Sequence, residues 1–532
     1  MDKLSPEILS LVVDHLDTDR LSCYATISRA WQHEVERRCF RNVELTVENM
    51  SAFPGIFARL PHRRSYLRRI TLALQMERLD DETVSHFVTE HMVFRRCLTS
   101  LLATLKQWEE DEDTTTGSPT RANLELRIQP SSGRTWDAED QWDSPLHDPR
   151  LSYLLEDPVT ARILKNPVEA MALDVWLRVE HLTLSLMDGP LPTIRRVQSL
   201  SVEGGKVGPS TVPWILLSSA SCEIAAAFPS LESFRFEYRD GFRDRYDEQV
   251  VLRSHLVSGL ELLHGQLPSL KRLEIKRISP DCVLNHDYYP DHLDDHGIDL
   301  VSQAIRRLAQ PTVQELVLDN FFLSRDLLCN RHGSTDEKEE DDDIWRALRR
   351  LDVGAQLVAP DGEWYTTGLA PATADPLPDG PVLGHISPWD GDVACKPWRR
   401  SIDSNTTGPL LEDLTRVAHE RMPRLRELTI DLHSTDNLDD YLSVWSIHGE
   451  RDIRNREDWD NYEPRLRVSC QTEPCRQWTV DRYLGARDWY IPRSLQWQWD
   501  GFAGKDGVVV TDIDEDDYVI VERRVPSHCS SK

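Results

Sequence analysis

The most regular feature of the chain is a six-residue pattern: a Leu or Val, two variable residues, an apolar residue, one variable residue and a second apolar residue. Such alternation is typical of a strand with one buried face. A looser form occurs at residues 123–128. The other predicted strands are Leu67–Leu72, Val179–Leu184, Val197–Val202, Leu231–Phe236, Leu270–Ile275, Val313–Leu318, Leu348–Val353 and Leu425–Ile430.

Amphipathic helices are predicted before three of these strands, each followed by a Pro. They cover Val250–Leu263, Leu300–Leu308 and Leu410–Ala418. Repeated helix–turn–strand units indicate a leucine-rich-repeat solenoid, in which one strand per repeat lines the inner face. The spacing between units is irregular, so we predict a degenerate α/β solenoid over residues 46–440. An ordinary α/β domain with Leu-rich strands is the alternative.

Residues 109–121, 334–343 and 359–409 are rich in acidic residues or in Pro and Gly, and we predict them to be loop insertions. The composition changes again over residues 441–532, which hold six of the sixteen Trp. Trp is costly to expose, so this region is expected to pack against something. It would be a cap that closes the open end of the solenoid or an aromatic surface that binds a partner.

The first 40 residues predict three short helices. Ser5 suits an N-cap and Pro6 the first helical position. Ser28 can cap a third helix, on which Trp31 and Val35 share a face. Three helices of this size bury too little apolar surface to be stable alone, so they need a partner inside or outside the chain. One apolar stripe is predicted on the first helix at helical spacing, formed by Ile8, Leu11, Val12 and Leu16.

Residues 1–45 resemble an F-box, whose pattern is a Leu-Pro-x-Glu-Ile-Leu opening, a spaced Leu and a Val-Ser-x-x-Trp centre. One departure is Ser5, which stands where the family usually has its first Pro, while Pro6 follows one place later. The order of F-box, degenerate Leu-rich strands and Trp-rich end is similar to a group of filamentous-fungal F-box proteins. The matching residues are Leu4, Pro6, Glu7, Ile8, Leu9, Leu16, Leu21, Ile27 and Trp31.

This resemblance implies a substrate receptor of a Skp–cullin–F-box ubiquitin ligase. A Skp-type adaptor would bind the nine matching residues or the residues that they support, and it would connect the protein to a cullin. Glu7 would add a polar contact. The solenoid would hold a target protein, whose identity the sequence does not give. The receptor would perform no catalysis and would act by bringing the target close to the ubiquitin carrier.

The composition also restricts the classes of partner that the protein is expected to bind. The net charge of −28 disfavours nucleic acid and anionic membranes, and we interpret the basic stretch at residues 59–69 as a solvated face. The sequence predicts neither a signal peptide nor a membrane span. The ten Cys are scattered without a paired framework, which favours the cytoplasm or the nucleus.

The chain has no motif that names a catalytic centre or a cofactor. Gly204-Gly205-Lys206 lacks the spacing of a phosphate loop, and Cys470 and Cys475 lack a second pair for zinc. Pro290 and Gly297 mark a turn in the most metal-like cluster, so no bound metal is expected there. That cluster consists of His286, Asp287, His292, Asp294, Asp295 and His296.

Three classes of function therefore compete: a ligase receptor, a scaffold whose N-terminal helices merely cap the solenoid, and an enzyme without recognisable catalytic residues. An apolar patch left exposed on residues 1–45 favours the receptor over the scaffold.

Overall fold

The structure is a computed structural model that describes residues 4–16, 21–75, 85–115, 123–131, 181–182, 191–204, 215–239, 246–278, 292–309, 312–329, 344–367, 401–432, 466–471, 477–482, 489–503, 508–513 and 519–525. The fold is mixed α/β, and its strands are mostly parallel. Two compact units divide the chain. Unit 1 comprises Met1–Glu237 and Gly265–Leu270, and unit 2 comprises Tyr238–His264 and Lys271–Lys532.

Unit 1 starts with three short helices and continues with helices and strands that alternate. The helices are α1 (Pro6–Asp14), α2 (Leu21–Tyr24), α3 (Arg29–Cys39), α4 (Phe53–Arg59), a 3₁₀ turn (Pro61–Ser65), α5 (Ser85–Thr115) and α6 (Ser218–Ala226). The strands are β1 (Asn42–Leu45), β2 (Arg69–Gln75), β3 (Leu124–Ser131), β4 (His181–Leu182), β5 (Val197–Val202), β6 (Ile215–Leu216) and β7 (Ser233–Arg239).

The main sheet of unit 1 follows the order of the chain. Strands β1, β2, β3, β5 and β7 lie side by side, each parallel to the next. Strand β1 lies within the predicted F-box segment, yet it belongs to this sheet. Its residues Val43 and Leu45 alternate with polar residues, as is typical of a strand. The second apolar positions of the sequence pattern are buried and stand opposite one another, in the order Ile70, Leu126, Leu200 and Phe234.

One predicted strand is not part of this series. The described residues of Val179–Leu184 form β4, which pairs in parallel with β6 in a separate two-stranded sheet. From the order of the chain, β4 is expected between β3 and β5. Strand β3 instead pairs directly with β5, so β4 has no place in the main sheet.

Unit 2 continues the alternation of helix and parallel strand. Its helices are α7 (Tyr246–Leu263), α8 (Leu300–Leu308), a 3₁₀ turn (Arg325–Leu327), α9 (Ser404–Arg421) and α10 (Arg493–Ala503). The predicted segments Val250–Leu263, Leu300–Leu308 and Leu410–Ala418 are thus confirmed as helical. The strands are β8 (Arg272–Ile278), β9 (Glu315–Phe321), β10 (Arg350–Ala355), β11 (Thr366–Thr367), β12 (Ser401–Ile402), β13 (Glu427–Leu432), β14 (Leu466–Gln471), β15 (Gln477–Arg482), β16 (Val508–Ile513) and β17 (Val519–Val525).

Strands β8, β9, β10 and β13 of unit 2 are parallel and sequential. Their buried central residues again stand opposite one another, in the order Leu273, Leu316, Leu351 and Leu428. Beyond β13 the pairing changes, since β14 and β15 are antiparallel, β16 is parallel to β15, and β17 is antiparallel.

Two of the predicted loop insertions contain regular structure. Helix α5 continues to Thr115, because Glu109 is buried and accepts hydrogen bonds from the backbone N–H groups of Arg195 (2.7 Å) and Arg196 (2.6 Å). In the insertion at 359–409, β11 pairs with β12 and α9 begins at Ser404. Residues 116–121, 334–343 and 368–400 lie outside the described residues.

The predicted burial of Trp in the C-terminal region holds for Trp478, Trp489 and Trp499, whereas Trp497 is 70% exposed. The rings of Trp478 and Trp499 stack with their centroids 4.8 Å apart, and Trp499 Nε1 donates to Thr415 Oγ1 on α9 at 2.7 Å. Trp445 and Trp459 lie outside the described residues. Among the helices that the structure describes, none combines the length and the apolar character needed to cross a membrane.

Candidate docking surface on the N-terminal helices

Local capping defines the ends of the N-terminal helices. Ser5 precedes α1, and its Oγ accepts a hydrogen bond from the backbone N–H of Ile8 at 3.5 Å, while Pro6 takes the first helical position. Ser28 caps α3 in the same way, accepting from the backbone N–H of Trp31 at 3.5 Å. Both predicted caps are therefore confirmed.

The inner face of these helices forms a small apolar core. Its buried members come from all three helices, and the ring of Tyr24 packs against it, with its centroid 6.0 Å from that of the Trp31 ring. Three of the candidate residues, Leu9, Leu21 and Trp31, are thus internal, and Leu16 is half-buried against them. The core consists of Leu9, Val13, Leu21, Trp31 and Val35.

The outer face of α1 is also apolar, and it is exposed. Its side chains, which we call the outer stripe, retain between 36 and 61% of their surface in contact with solvent. Ile27, just before α3, is 45% exposed, and Pro6 and Glu7 are exposed as well. The outer stripe consists of Leu4, Ile8, Leu11 and Val12.

The predicted stripe is therefore corrected at one position. Leu16 does not share the face of Ile8, Leu11 and Val12, because it follows Leu9 and Val13 at the spacing of the inner face. Helix α1 consequently has two apolar faces, of which only the inner one is covered within the described structure.

Ionised side chains and hydrogen bonds surround the outer stripe. The pKa of Glu7 is lowered by hydrogen bonds from its own backbone N–H and from Ser5, so the exposed carboxylate is ionised in the first turn of α1. Arg37 donates to Ser10 Oγ and Arg38 to the backbone carbonyl of Val13, which ties α3 to α1.

A buried carboxylate joins α3 to the rest of unit 1. Glu36 accepts hydrogen bonds from Arg63 Nη2 (2.6 Å) and Gln32 Nε2 (3.0 Å), and His62 Nε2 lies 3.2 Å away. The hydrogen bond from Arg63 is the main cause that lowers the pKa of Glu36 to about 2. The Glu36 carboxylate thereby links α3 to the 3₁₀ turn Pro61–Ser65.

A second apolar feature lies where α3 meets β1 and α4. A cavity of about 260 Å³ is lined mainly by aromatic and aliphatic side chains, including Phe40, Phe53 and Ile56. Asn49 lies beside β1, where its side chain accepts a hydrogen bond from the backbone N–H of Thr46 (2.8 Å) and donates one to the backbone carbonyl of Glu44 in β1 (3.1 Å). Part of this edge is therefore blocked against pairing with another strand.

The sheet of unit 2 presents charged side chains that alternate in sign across the strands. Arg272, Glu315, Arg350 and Glu427 stand opposite one another on β8, β9, β10 and β13. Arg272 lies 3.6 Å from Glu315, and Arg350 lies 3.9 Å from Glu427. These charges are largely balanced by their neighbours.

The metal-like cluster of the sequence serves other purposes where it is described. His292 lies half-buried beside the ring of Phe322, and desolvation together with the nearby Arg253 and Arg277 lowers its pKa well below the usual range. Asp294 accepts from the backbone N–H groups of His296 and Ile298, both at 2.9 Å. Within the described residues, no group of three His, Cys, Asp or Glu is placed to hold a metal. His286 and Asp287 lie outside them.

A scan against protein-family models gave no match, and no curated protein matches the chain.

Proposed function

We propose that this protein is a substrate-receptor subunit of a Skp–cullin–F-box ubiquitin ligase. Helices α1 to α3 dock on the Skp-type adaptor, and the strands that follow form a degenerate leucine-rich-repeat solenoid that holds the target protein. The observation that carries the proposal is the outer stripe of α1, an apolar helix face exposed to solvent beside a packed three-helix core.

Apolar patches of a few hundred Å² on a folded protein mark interaction sites. The outer stripe and Ile27 supply exposed apolar side chains of this kind, and the resemblance to the F-box assigns them to the adaptor. The roles of the candidate residues then separate. Leu4, Pro6, Glu7, Ile8 and Ile27 contact the adaptor, whereas Leu9, Leu16, Leu21 and Trp31 support them from within.

Equivalent strand junctions support the solenoid. The carbonyl of Arg41 accepts from the backbone N–H groups of Arg68 and Arg69 at 2.8 and 3.0 Å. The carbonyl of Lys271 accepts from the next strand along in the same way, and those of Gln314 and Arg349 repeat the arrangement. A recurring local geometry at sequential parallel strands is what stacked repeats produce.

The adaptor proposal is tested by a pull-down with purified Skp-type adaptor. The test variant is Leu4→Ala/Ile8→Ala/Leu11→Ala. Removing three half-exposed apolar side chains from an interface costs several kcal/mol, so binding should weaken by at least about 100-fold. Leu9→Ala is unsuitable for this purpose, because Leu9 is 3% exposed and its loss would destabilise the helices by about 2–5 kcal/mol.

A control removes three other exposed apolar side chains, which lie in unit 2. The variant Val250→Ala/Leu262→Ala/Leu300→Ala changes three residues that are 42 to 44% exposed, and it should bind the adaptor like the wild type. If the wild type does not bind, or if both triple variants bind equally well, the helices are a cap and the protein is a scaffold without ligase function.

A further inference from the structure

The cationic residues of this chain are predominantly Arg. Of the 62 Lys and Arg residues together, only ten are Lys. Residues 4–105, which include helices α1 to α4, contain thirteen Arg and no Lys. Both side chains carry one positive charge and have similar helix propensity, so charge and helix formation alone do not account for this preference.

Buried contacts explain some of these Arg residues. Arg63 donates to the carboxylate of Glu36 at 2.6 Å. Arg64, which is 9% exposed, donates to Asp111 at 3.0 Å while its guanidinium lies 5.2 Å from the centroid of the Trp108 ring. A planar guanidinium can pair with a carboxylate and stack on an aromatic ring at the same time, whereas an ammonium is a compact point charge. At such positions the contacts themselves favour Arg.

Other Arg residues of the same region are exposed to solvent. Arg41 lies between α3 and β1, Arg59 is the last residue of α4, and Arg96 lies on α5. A Lys at any of these three positions would keep the charge, and at the end of α4 it would interact with the helix dipole equally well. The preference for Arg at exposed positions therefore calls for a reason other than packing.

Ubiquitin transfer distinguishes the two cations chemically. A deprotonated Lys amine attacks the thioester carbonyl of the charged ubiquitin carrier. A C–N bond forms, the C–S bond breaks, and the Cys of the carrier leaves as a thiolate, which takes up the proton that the amine nitrogen loses. The guanidinium of Arg stays protonated, because its pKa lies above about 12, so Arg does not act as an acceptor.

We propose that Arg at the exposed cationic positions of residues 4–105 protects this receptor from ubiquitination by its own ligase. The inference rests on the proposed function, because a protein that is not held beside a charged carrier does not need this protection. A carrier that is close enough to modify a bound target is also at a high effective concentration for amines near the docking helices. Arg keeps the charge at these positions and offers the carrier no acceptor.

The test is self-ubiquitination of the full chain in a reaction that contains the Skp-type adaptor, a cullin–RING core, the ubiquitin carrier and ubiquitin. The variant Arg41→Lys/Arg59→Lys/Arg96→Lys adds three amines without changing the net charge. It should be modified at least about threefold faster than the wild type, with ubiquitin found on the new Lys residues by mass spectrometry. The control Arg41→Gln/Arg59→Gln/Arg96→Gln changes the same positions without adding an amine, and it should be modified at the rate of the wild type.

Two results would overturn the inference while the ligase still forms ubiquitin chains: equal self-ubiquitination of the Lys variant and the wild type, or the same increase in the Gln variant. A pull-down with the adaptor separates these results from a failure of the proposed function. Both variants should bind the adaptor like the wild type, because the three positions lie outside the outer stripe. Loss of binding by the Lys variant alone would mean that the fold requires Arg there, which also refutes the inference. Absence of adaptor binding by the wild type would refute the ligase role and the inference with it.

Discussion

Glu36 offers a direct test of how the N-terminal helices are joined to the rest of unit 1, because its carboxylate connects α3 to the 3₁₀ turn Pro61–Ser65. Its pKa falls from an ordinary value of 4.5 to about 2. That difference corresponds to about 3 kcal/mol of stability at neutral pH. Replacing Glu36 with Gln removes the charge and leaves Arg63 without its partner, so we expect unit 1 to lose about 2–3 kcal/mol.

Hydrogen exchange of the backbone amides in α3 provides the assay, since local opening reports the stability of this helix directly. A loss of about 3 kcal/mol should accelerate exchange by roughly 100-fold. Glu34→Gln is the matched control on the same helix, because Glu34 pairs with the half-exposed Arg37 and such pairs contribute less than about 1 kcal/mol.

The pH dependence supplies a second readout of the same prediction. The folded-state pKa of Glu36 lies below its unfolded value, so the stabilisation is fully present above about pH 5 and is lost as the pH falls toward 2. The difference between the wild type and Glu36→Gln should therefore shrink to less than half by about pH 3. Equal exchange rates in the two Gln variants at pH 7, or a difference that does not change with pH, would refute the reasoning.

Further predictions concern other contacts of the fold. Because the pKa of His292 is lowered in the folded state, unit 2 should lose stability as the pH falls below about 6.5, and urea unfolding of His292→Gln should show a weaker pH dependence. Thr415→Val removes the acceptor of Trp499 Nε1 and should cost about 1–3 kcal/mol in denaturant unfolding, whereas Thr429→Val on a half-exposed strand position should cost less. Asn49→Ala exposes backbone groups at the edge of β1 and should increase self-association in light scattering.

Local pattern was sufficient to predict most of the parallel strands, because each one buries alternate side chains against helices. The pattern could not say where a strand pairs. Val179–Leu184 matches it as well as Val197–Val202 does, yet β4 pairs with β6 while β5 joins the main sheet. Pairing is a property of neighbours far away in the chain, and the six-residue pattern has no information about them.

The C-terminal strands were missed for a different reason. Strands β14 and β15 show the required alternation, as in Leu466, Val468 and Cys470, but they lack the Leu or Val that opens the six-residue pattern. Period-two alternation alone would have found them. Helix α5 shows the opposite failure, since an acidic composition predicted a loop where Glu109 caps the backbone N–H groups of Arg195 and Arg196.

The sequence alone could not tell which of the two apolar faces of α1 is buried. Leu9, Val13 and Leu16 form one helical face at α1, and Leu4, Ile8 and Leu11 form another that is displaced by roughly 140°. Both satisfy the same spacing, so periodicity cannot tell which one packs inside the chain. The structure identifies the internal face, because Trp31 and Val35 of α3 pack in one core with Leu9 and Val13 of the first face. Within the described residues the second face of α1 stays exposed, and substitutions in this stripe therefore test the proposed contact with the adaptor.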